Sequence, residues 1–306
     1  MNIKNKALIL WMIMFSCCLT VFSKPMRAFP NDTLRTFITN YGKDSLLHLI
    51  DERILAAKIA IVNNPKPLYD NYTYMQLMLV SNEFQLGLDT VIFSNVLQDS
   101  IFFSLYNRYY GDTSWVMRII DTVRARNFDM SKVYLQNIRD YNNRIAMACF
   151  CTYLPVKNFV FDSLYAITNK MKTDDKIHVY WVFSEYSRKC GDKNSRSVYY
   201  RPLLFKSIYK SNNLGKICLA YDPVIPSKKP DPFYAGNAIQ LLAYGLYGGD
   251  ATLDKYGKDV MYLLHTQLQE GSWPKFYKSG DLEDIRSTFY ALWALCETRE
   301  QLKKYK

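Results

Sequence analysis

Three carboxylates open the search for chemistry: Asp281, Glu283 and Asp284 stand within four residues, in Asp281-Leu282-Glu283-Asp284. A central acid kept protonated by carboxylate neighbours is a proton donor. Exposed at the start of a helix, the same cluster simply complements the positive end of the macrodipole. Just downstream, Arg286, Phe289 and Trp293 fall at i, i+3 and i+7, which sets a cation at the mouth of an aromatic wall. Metal chemistry finds no ligand set, since His48, His178 and His265 are scattered and neither His-Glu-x-x-His nor Cys-x-x-Cys occurs. No metal and no cofactor is expected. A Gly-rich phosphate loop and a Gly-x-Ser-x-Gly elbow are equally absent.

The elements that must position these residues are helices. The chain has 306 residues, 49% of them hydrophobic, with only 12 Gly and 11 Pro, too few for the corners of a β-sandwich or barrel of this size. Capping residues and Gly, Asn or Pro stops predict eleven helices. They fall at about 44–63, 70–86, 89–110, 112–127, 130–152, 159–172, 174–190, 198–211, 233–247, 251–269 and 284–303. The long irregular stretch between Asn212 and Asp231 reads as a surface loop within one domain. Segment 251–269 is half apolar and half charged, an outer helix. Segments 233–247, carrying Asn237 and Tyr244, and 284–303 have almost no polar face and are inner helices packed on nearly every side. Inner, outer, inner is the alternation of a ring of helical hairpins.

Between the outer and inner helix lies Gln267-Leu268-Gln269-Glu270-Gly271-Ser272-Trp273. Gly271 is suited to the left-handed turn that ends a helix, Trp273 to folding back over the Gln267 amide, and that amide to holding backbone groups of a neighbouring helix end. Gln-x-x-x-Gly-x-Trp resembles the QW motif of terpene cyclases such as squalene-hopene cyclase, whose α/α toroid is shared by protein prenyltransferase β subunits. Asp284, Arg286, Ser287, Phe289 and Ala291 resemble the prenyltransferase repeat that follows it. The resemblance covers about 233–300 and implies an all-α toroid of five to six hairpins around a central cavity. It places Arg286 and Phe289 at that cavity, with Trp293, Asn237 and Tyr244 as further ligand-binding candidates. Parallel inner helices then gather their positive N-terminal ends at one mouth beside Arg286, where anions are favoured. The family's catalytic parts match less well. The cyclase acid is Asp-x-Asp-Asp directly before the inner helix, whereas here the cluster stands early relative to Thr288 and Glu283 replaces the central Asp. No Cys has an Asp two positions before it, as the zinc site of the prenyltransferases requires.

Lys4 and Lys6 precede an uncharged apolar run, 7–21, ending in Val21-Phe22-Ser23, the pattern of an export signal over 1–23. A second fate is a lipid anchor at Cys17 or Cys18. Residues 24–306 then form one soluble domain with no spanning helix, secreted or periplasmic. Losing the leader takes the basic count from 39 to 37 against 28 acids. Export makes nucleic acid an improbable partner for this basic chain and leaves anionic glycans, lipid head groups and diphosphates. Cys149, Cys151, Cys190, Cys218 and Cys296 read as small buried hydrophobes rather than disulfides. A basic, tyrosine-rich stretch runs from Glu185 to Lys216.

The expected function is an exported toroid that lost prenylation chemistry and holds an extended hydrophobic or anionic ligand, an isoprenoid-like lipid, a peptide or an acidic glycan. The alternatives are a secreted lyase or hydrolase acting on acidic glycans and a divergent terpene cyclase using Glu283.

Overall fold

The computed structural model describes residues 42–65, 68, 71–88, 141–149, 151–152, 156–191, 195–212, 235–274 and 283–304, together with 35, 38 and 39. The helices expected over 89–110 and 112–127, the leader 1–23 and Cys218 lie outside the described residues. The described part is all-α. Its nine helices are α1 (Lys43–Asn63), α2 (Asn71–Glu83), α3 (Tyr141–Cys149), α4 (Asn158–Thr168), α5 (Thr173–Lys189), α6 (Arg196–Tyr209), α7 (Ala235–Gly248), α8 (Leu253–His265) and α9 (Ile285–Lys304). One two-residue antiparallel pairing, Trp273 with Asp284 and Pro274 with Glu283, precedes α9. No described helix is long and apolar enough to cross a membrane.

Local chemistry explains the ends. Pro65 follows the non-helical Asn64 that closes α1, and Gly249 closes α7 at φ +78°, a conformation costly for any residue with a Cβ. Helix α5 carries Asp174 and Asp175 in its first turn and Arg188 and Lys189 in its last, both charges complementing the dipole. Asp284 begins α9 by accepting hydrogen bonds from the Ser287 N–H at 3.2 Å and the Ser287 hydroxyl at 2.6 Å.

Burial sorts the helices into two kinds. In α5 every residue from Val179 to Tyr186 is buried, and α7 and α9 are buried almost throughout their central turns. Helices α1, α4 and α6 bury only one stripe, in α1 Leu46, Ile50, Ile54, Ala57 and Ile61. The buried helices share one direction. Asn237 bonds Asp174 near the starts of α7 and α5, while Tyr247 and Glu185 meet near their ends. Gln76 of α2 lies level with Tyr290 of α9, and α7 crosses α9 in step through Tyr244 and Tyr247. Helix α1 runs the other way along α9, with Lys43 reaching the carbonyl of Lys303 and Asp51 pairing with Arg299 at 3.3 Å. Parallel neighbours cannot be joined by tight turns, and the described connecting helices differ: α6, between α5 and α7, buries one stripe, whereas α8, between α7 and α9, which its charge pattern marks as a half-solvated outer helix, buries nine of its thirteen residues.

Two cross-links corral these helices. Asp250, just after α7, takes Arg201 at 2.8 and 3.2 Å and the Tyr180 hydroxyl at 2.9 Å, which ties α5, α6 and α7 together. A disulfide joins Cys151 to Cys190 and so links the end of α3 to the end of α5. This corrects the reading of the cysteines as plain hydrophobes. Sequence spacing gives no signal for a pair 39 residues apart. Cys296 is fully buried and Cys149 half-buried, both as thiols.

Candidate functional site

The Gln-x-x-x-Gly-x-Trp segment acts as a staple. The Gln267 amide donates to the carbonyl of Gly271 at 2.8 Å and to that of Arg53 at 3.1 Å, and Arg53 Nη1 returns a bond to Gln267 Oε1 at 3.2 Å. The backbone group it holds belongs to the middle of α1, not to a helix end as the sequence suggests. Gly271 has φ +89°, and a Cβ there would lie 2.5 Å from the Ala56 carbonyl oxygen. Trp273 is fully buried, its indole N–H donating to Leu263 O at 3.0 Å and its backbone N–H to the Thr288 hydroxyl at 2.9 Å. His265 sits beside this staple. Burial, reinforced by Arg53, pushes its imidazole down to about 4.

Phe289, Trp293 and Tyr244 come together as an aromatic cluster, with Tyr244 centred 5.3 Å from Trp293 and 5.7 Å from Tyr290. The polar tips inside it form a chain. Gln240 Nε2 donates to the Tyr244 hydroxyl at 2.9 Å, and the hydroxyls of Tyr244 and Tyr290 donate to Gln76 Oε1 at 2.9 and 3.3 Å. Gln76 is fully buried, and its Nε2 has no hydrogen-bond partner. Arg286 does not join this cluster: it is exposed, while Phe289 and Trp293 are buried. Asn237 is buried on Asp174 at 2.5 Å, near the helix starts. Asp284 caps α9, whereas Asp281 and the Glu283 side chain lie outside the described residues. The cluster of ionisable groups that sequence spacing does not reveal stands at the opposite end of the inner helices.

There, four of the parallel helices and α3 contribute. Glu185 of α5 is 1% exposed and is held by Lys189 and by the hydroxyl of Tyr247. The Arg188 guanidinium lies 3.8 Å from the centre of the Tyr247 ring and 3.2 Å from Glu83 Oε1 at the end of α2. Such stacking on an aromatic face fixes a planar cation without neutralising it. Trp293 packs edge-on to Tyr247 at 5.2 Å and donates its indole N–H to Glu297 Oε1 at 3.2 Å. Burial pushes the Glu297 carboxyl up to about 7, Glu83 adds to the rise, and the Trp293 bond and Arg188 oppose it. Burial, with Glu185 beside them, also raises the Tyr247 phenol and the Cys149 thiol, so neither ionises readily.

The arrangement places an acid poised near neutral pH beside a salt-bridged carboxylate and a clamped cation, the ingredients of general acid catalysis on a polar substrate. One sequence signal points to it: Glu185 interrupts an otherwise uncharged run, 177–186, in a helix buried on every side. Among the described residues no three His, Cys, Asp or Glu side chains converge to hold a metal. The basic, tyrosine-rich stretch divides in space, with Arg188 and Lys189 entering this cluster, Arg201 clamped on Asp250, and Tyr209 bonded to Asp259. No protein-family model, curated protein or solved structure matches the chain.

Proposed function

We propose that the chain is an exported α/α-toroid enzyme acting on acidic glycans at the C-terminal end of its inner helices. Glu297 is the proton donor to the leaving oxygen, Glu83 the carboxylate that complements it, and Arg188 the cation that meets an acidic sugar. The observation that carries this reading is the pair of carboxylates in contrasting surroundings: Glu297 buried against Trp293, Glu83 half exposed on Arg188. Two carboxylates with opposite environments are what glycoside cleavage uses.

The ring itself is supported by the parallel course of α2, α5, α7 and α9, by the one-sided burial of α1, α4 and α6, and by the staple that draws α1 onto the last hairpin. Export is supported by the leader pattern at 1–23 and by the Cys151–Cys190 disulfide, a bond that persists in oxidising compartments. Incubation with polygalacturonate, hyaluronan and alginate, followed by reducing ends and ultraviolet absorbance, tests the activity. Glu297→Gln should lower turnover by about 100-fold or more with binding retained. Unchanged turnover in that variant refutes the assignment.

A second reading, a non-catalytic holder of an extended ligand, is favoured by the unpartnered amide of Gln76 amid the Tyr244, Tyr290 and Trp293 rings. A buried donor left unbonded costs about 1–3 kcal/mol, which an acceptor atom of a bound molecule removes. Mass spectrometry of the purified protein should then show a stoichiometric small molecule that is lost in Gln76→Leu. Its absence from the wild-type protein sinks this reading.

A further inference from the structure

The outer face of α4 and α6 differs from the rest of the surface. The two helices lie side by side in the same direction: the Arg196 N–H donates to Asn158 Oδ1 at 3.0 Å, the Tyr200 hydroxyl to Asp162 at 2.7 Å, and Tyr165 stacks on Tyr200 at 4.2 Å. Their cores face the same way, through Phe161 and Leu164 on α4 and Leu204, Phe205 and Ile208 on α6. The opposite positions recur at i, i+4, i+7 and i+11 on both. On α4 and the turn after it they are Phe159, Ser163, Ala166 and Lys170. On α6 and its continuation they are Tyr199, Leu203, Lys206 and Lys210. All eight are exposed, Phe159 by 62%, Tyr199 by 58% and Leu203 by 42%. None is acidic, and the neighbouring Asp162 is engaged by Arg196 and Tyr200.

From this geometry we infer that the α4–α6 face docks on an anionic lipid surface, Phe159, Tyr199 and Leu203 entering the interface and Lys170, Lys206 and Lys210 meeting lipid phosphates. Aromatic and aliphatic side chains at one end of a face and lysines at the other, with the one neighbouring acid, Asp162, already held by Arg196 and Tyr200, are the makings of interfacial binding. A second copy of the chain is the poorer occupant, because a two-fold contact would gather the lysines of both copies into one interface whose eight facing positions supply no acid to pair them. The inference is independent of the glycan reading, which concerns the C-terminal ends of α2, α5, α7 and α9.

Sedimentation with vesicles of phosphatidylcholine, with and without phosphatidylglycerol, tests it on the oxidised full domain. Binding should require the anionic lipid. Lys206→Ala/Lys210→Ala should weaken it about 25-fold, from about fivefold per lysine near a charged surface. Lys303→Ala/Lys304→Ala on α9 removes the same charge elsewhere and should change it little. Phe159→Ser/Tyr199→Ser/Leu203→Ser alters only exposed positions, should keep the far-ultraviolet circular dichroism spectrum, and should abolish sedimentation. Equal losses in the two lysine pairs, equal binding to neutral vesicles, retention by a soluble acidic polysaccharide alone, or a dimer that these variants dissociate would each overturn the inference.

Discussion

Replacing Gly271 by alanine, with Gly249→Ala as its companion, separates two costs that usually arrive together. Both glycines have positive φ, +89° and +78°, so each alanine is forced into the left-handed region at about 1–2 kcal/mol. At Gly249 nothing lies within 4 Å of the new Cβ. At Gly271 the Cβ meets the Ala56 carbonyl oxygen at 2.5 Å and its carbon at 2.7 Å, both backbone atoms of α1 that no rotamer change can move. Either α1 retreats, an overpacking cost of about 1–3 kcal/mol, or the staple opens and loses the Gln267 bonds to Arg53, each about 1 kcal/mol. Gly249→Ala should therefore cost about 1–2 kcal/mol and Gly271→Ala about 2–5 kcal/mol. Urea unfolding followed by circular dichroism measures the difference, and hydrogen exchange at α1 amides locates it. In a Gln267→Ala background the Gly271→Ala penalty should shrink, because the two changes break the same contact. Equal destabilisation by the two glycine variants, within about 0.5 kcal/mol, would refute the close approach of the last hairpin to α1.

Three further perturbations probe other parts. Glu297 holds its proton up to about 7 when folded, against 4.5 for an ordinary glutamate, so the folded state binds more protons in that window and stability falls as pH rises through it. The loss should be on the order of 3 kcal/mol and should vanish in Glu297→Gln; an unchanged pH slope in that variant contradicts the burial assigned to it. Opening the Cys151–Cys190 link by double serine replacement should cost about 3–4 kcal/mol, the loop-closure value for 39 residues, read as a lowered urea midpoint that added reductant no longer shifts. Asp250→Asn removes the charge that holds Arg201 and Tyr180 and should cost about 2–3 kcal/mol in thermal unfolding, whereas a change below about 0.5 would mean the clip is idle.

The sequence made the helices easier to read than their neighbours. Apolar periodicity and Gly or Pro stops place α1, α5, α7 and α9 within one or two residues of their observed bounds, because these segments carry both their stripe and their ends locally. The role of Gly271 was legible for the same reason: a left-handed turn is a property of the residue itself. Its partner was not, since Arg53 lies 214 positions from Gln267 and nothing in either segment names the other. The ionisable cluster escaped more completely. Glu83, Glu185, Arg188, Tyr247 and Glu297 come from four helices, and only their common direction brings the ends together. Arg286 is exposed while Ile285, Ser287, Thr288 and Phe289 around it are buried, because i, i+3 spacing aligns residues on a helical wheel without saying which elements pack against each side of the turn. The disulfide required tertiary geometry, as pairings between distant cysteines always do.

The attachment of α1 to the last hairpin imposes an order on biosynthesis. The helix that leaves the ribosome early presents Leu46, Ile50, Ile54, Ala57 and Ile61 to water until some two hundred further residues have been made. During that interval its greasy side is a target for self-association, and a holdase that shields it should raise the yield of native product.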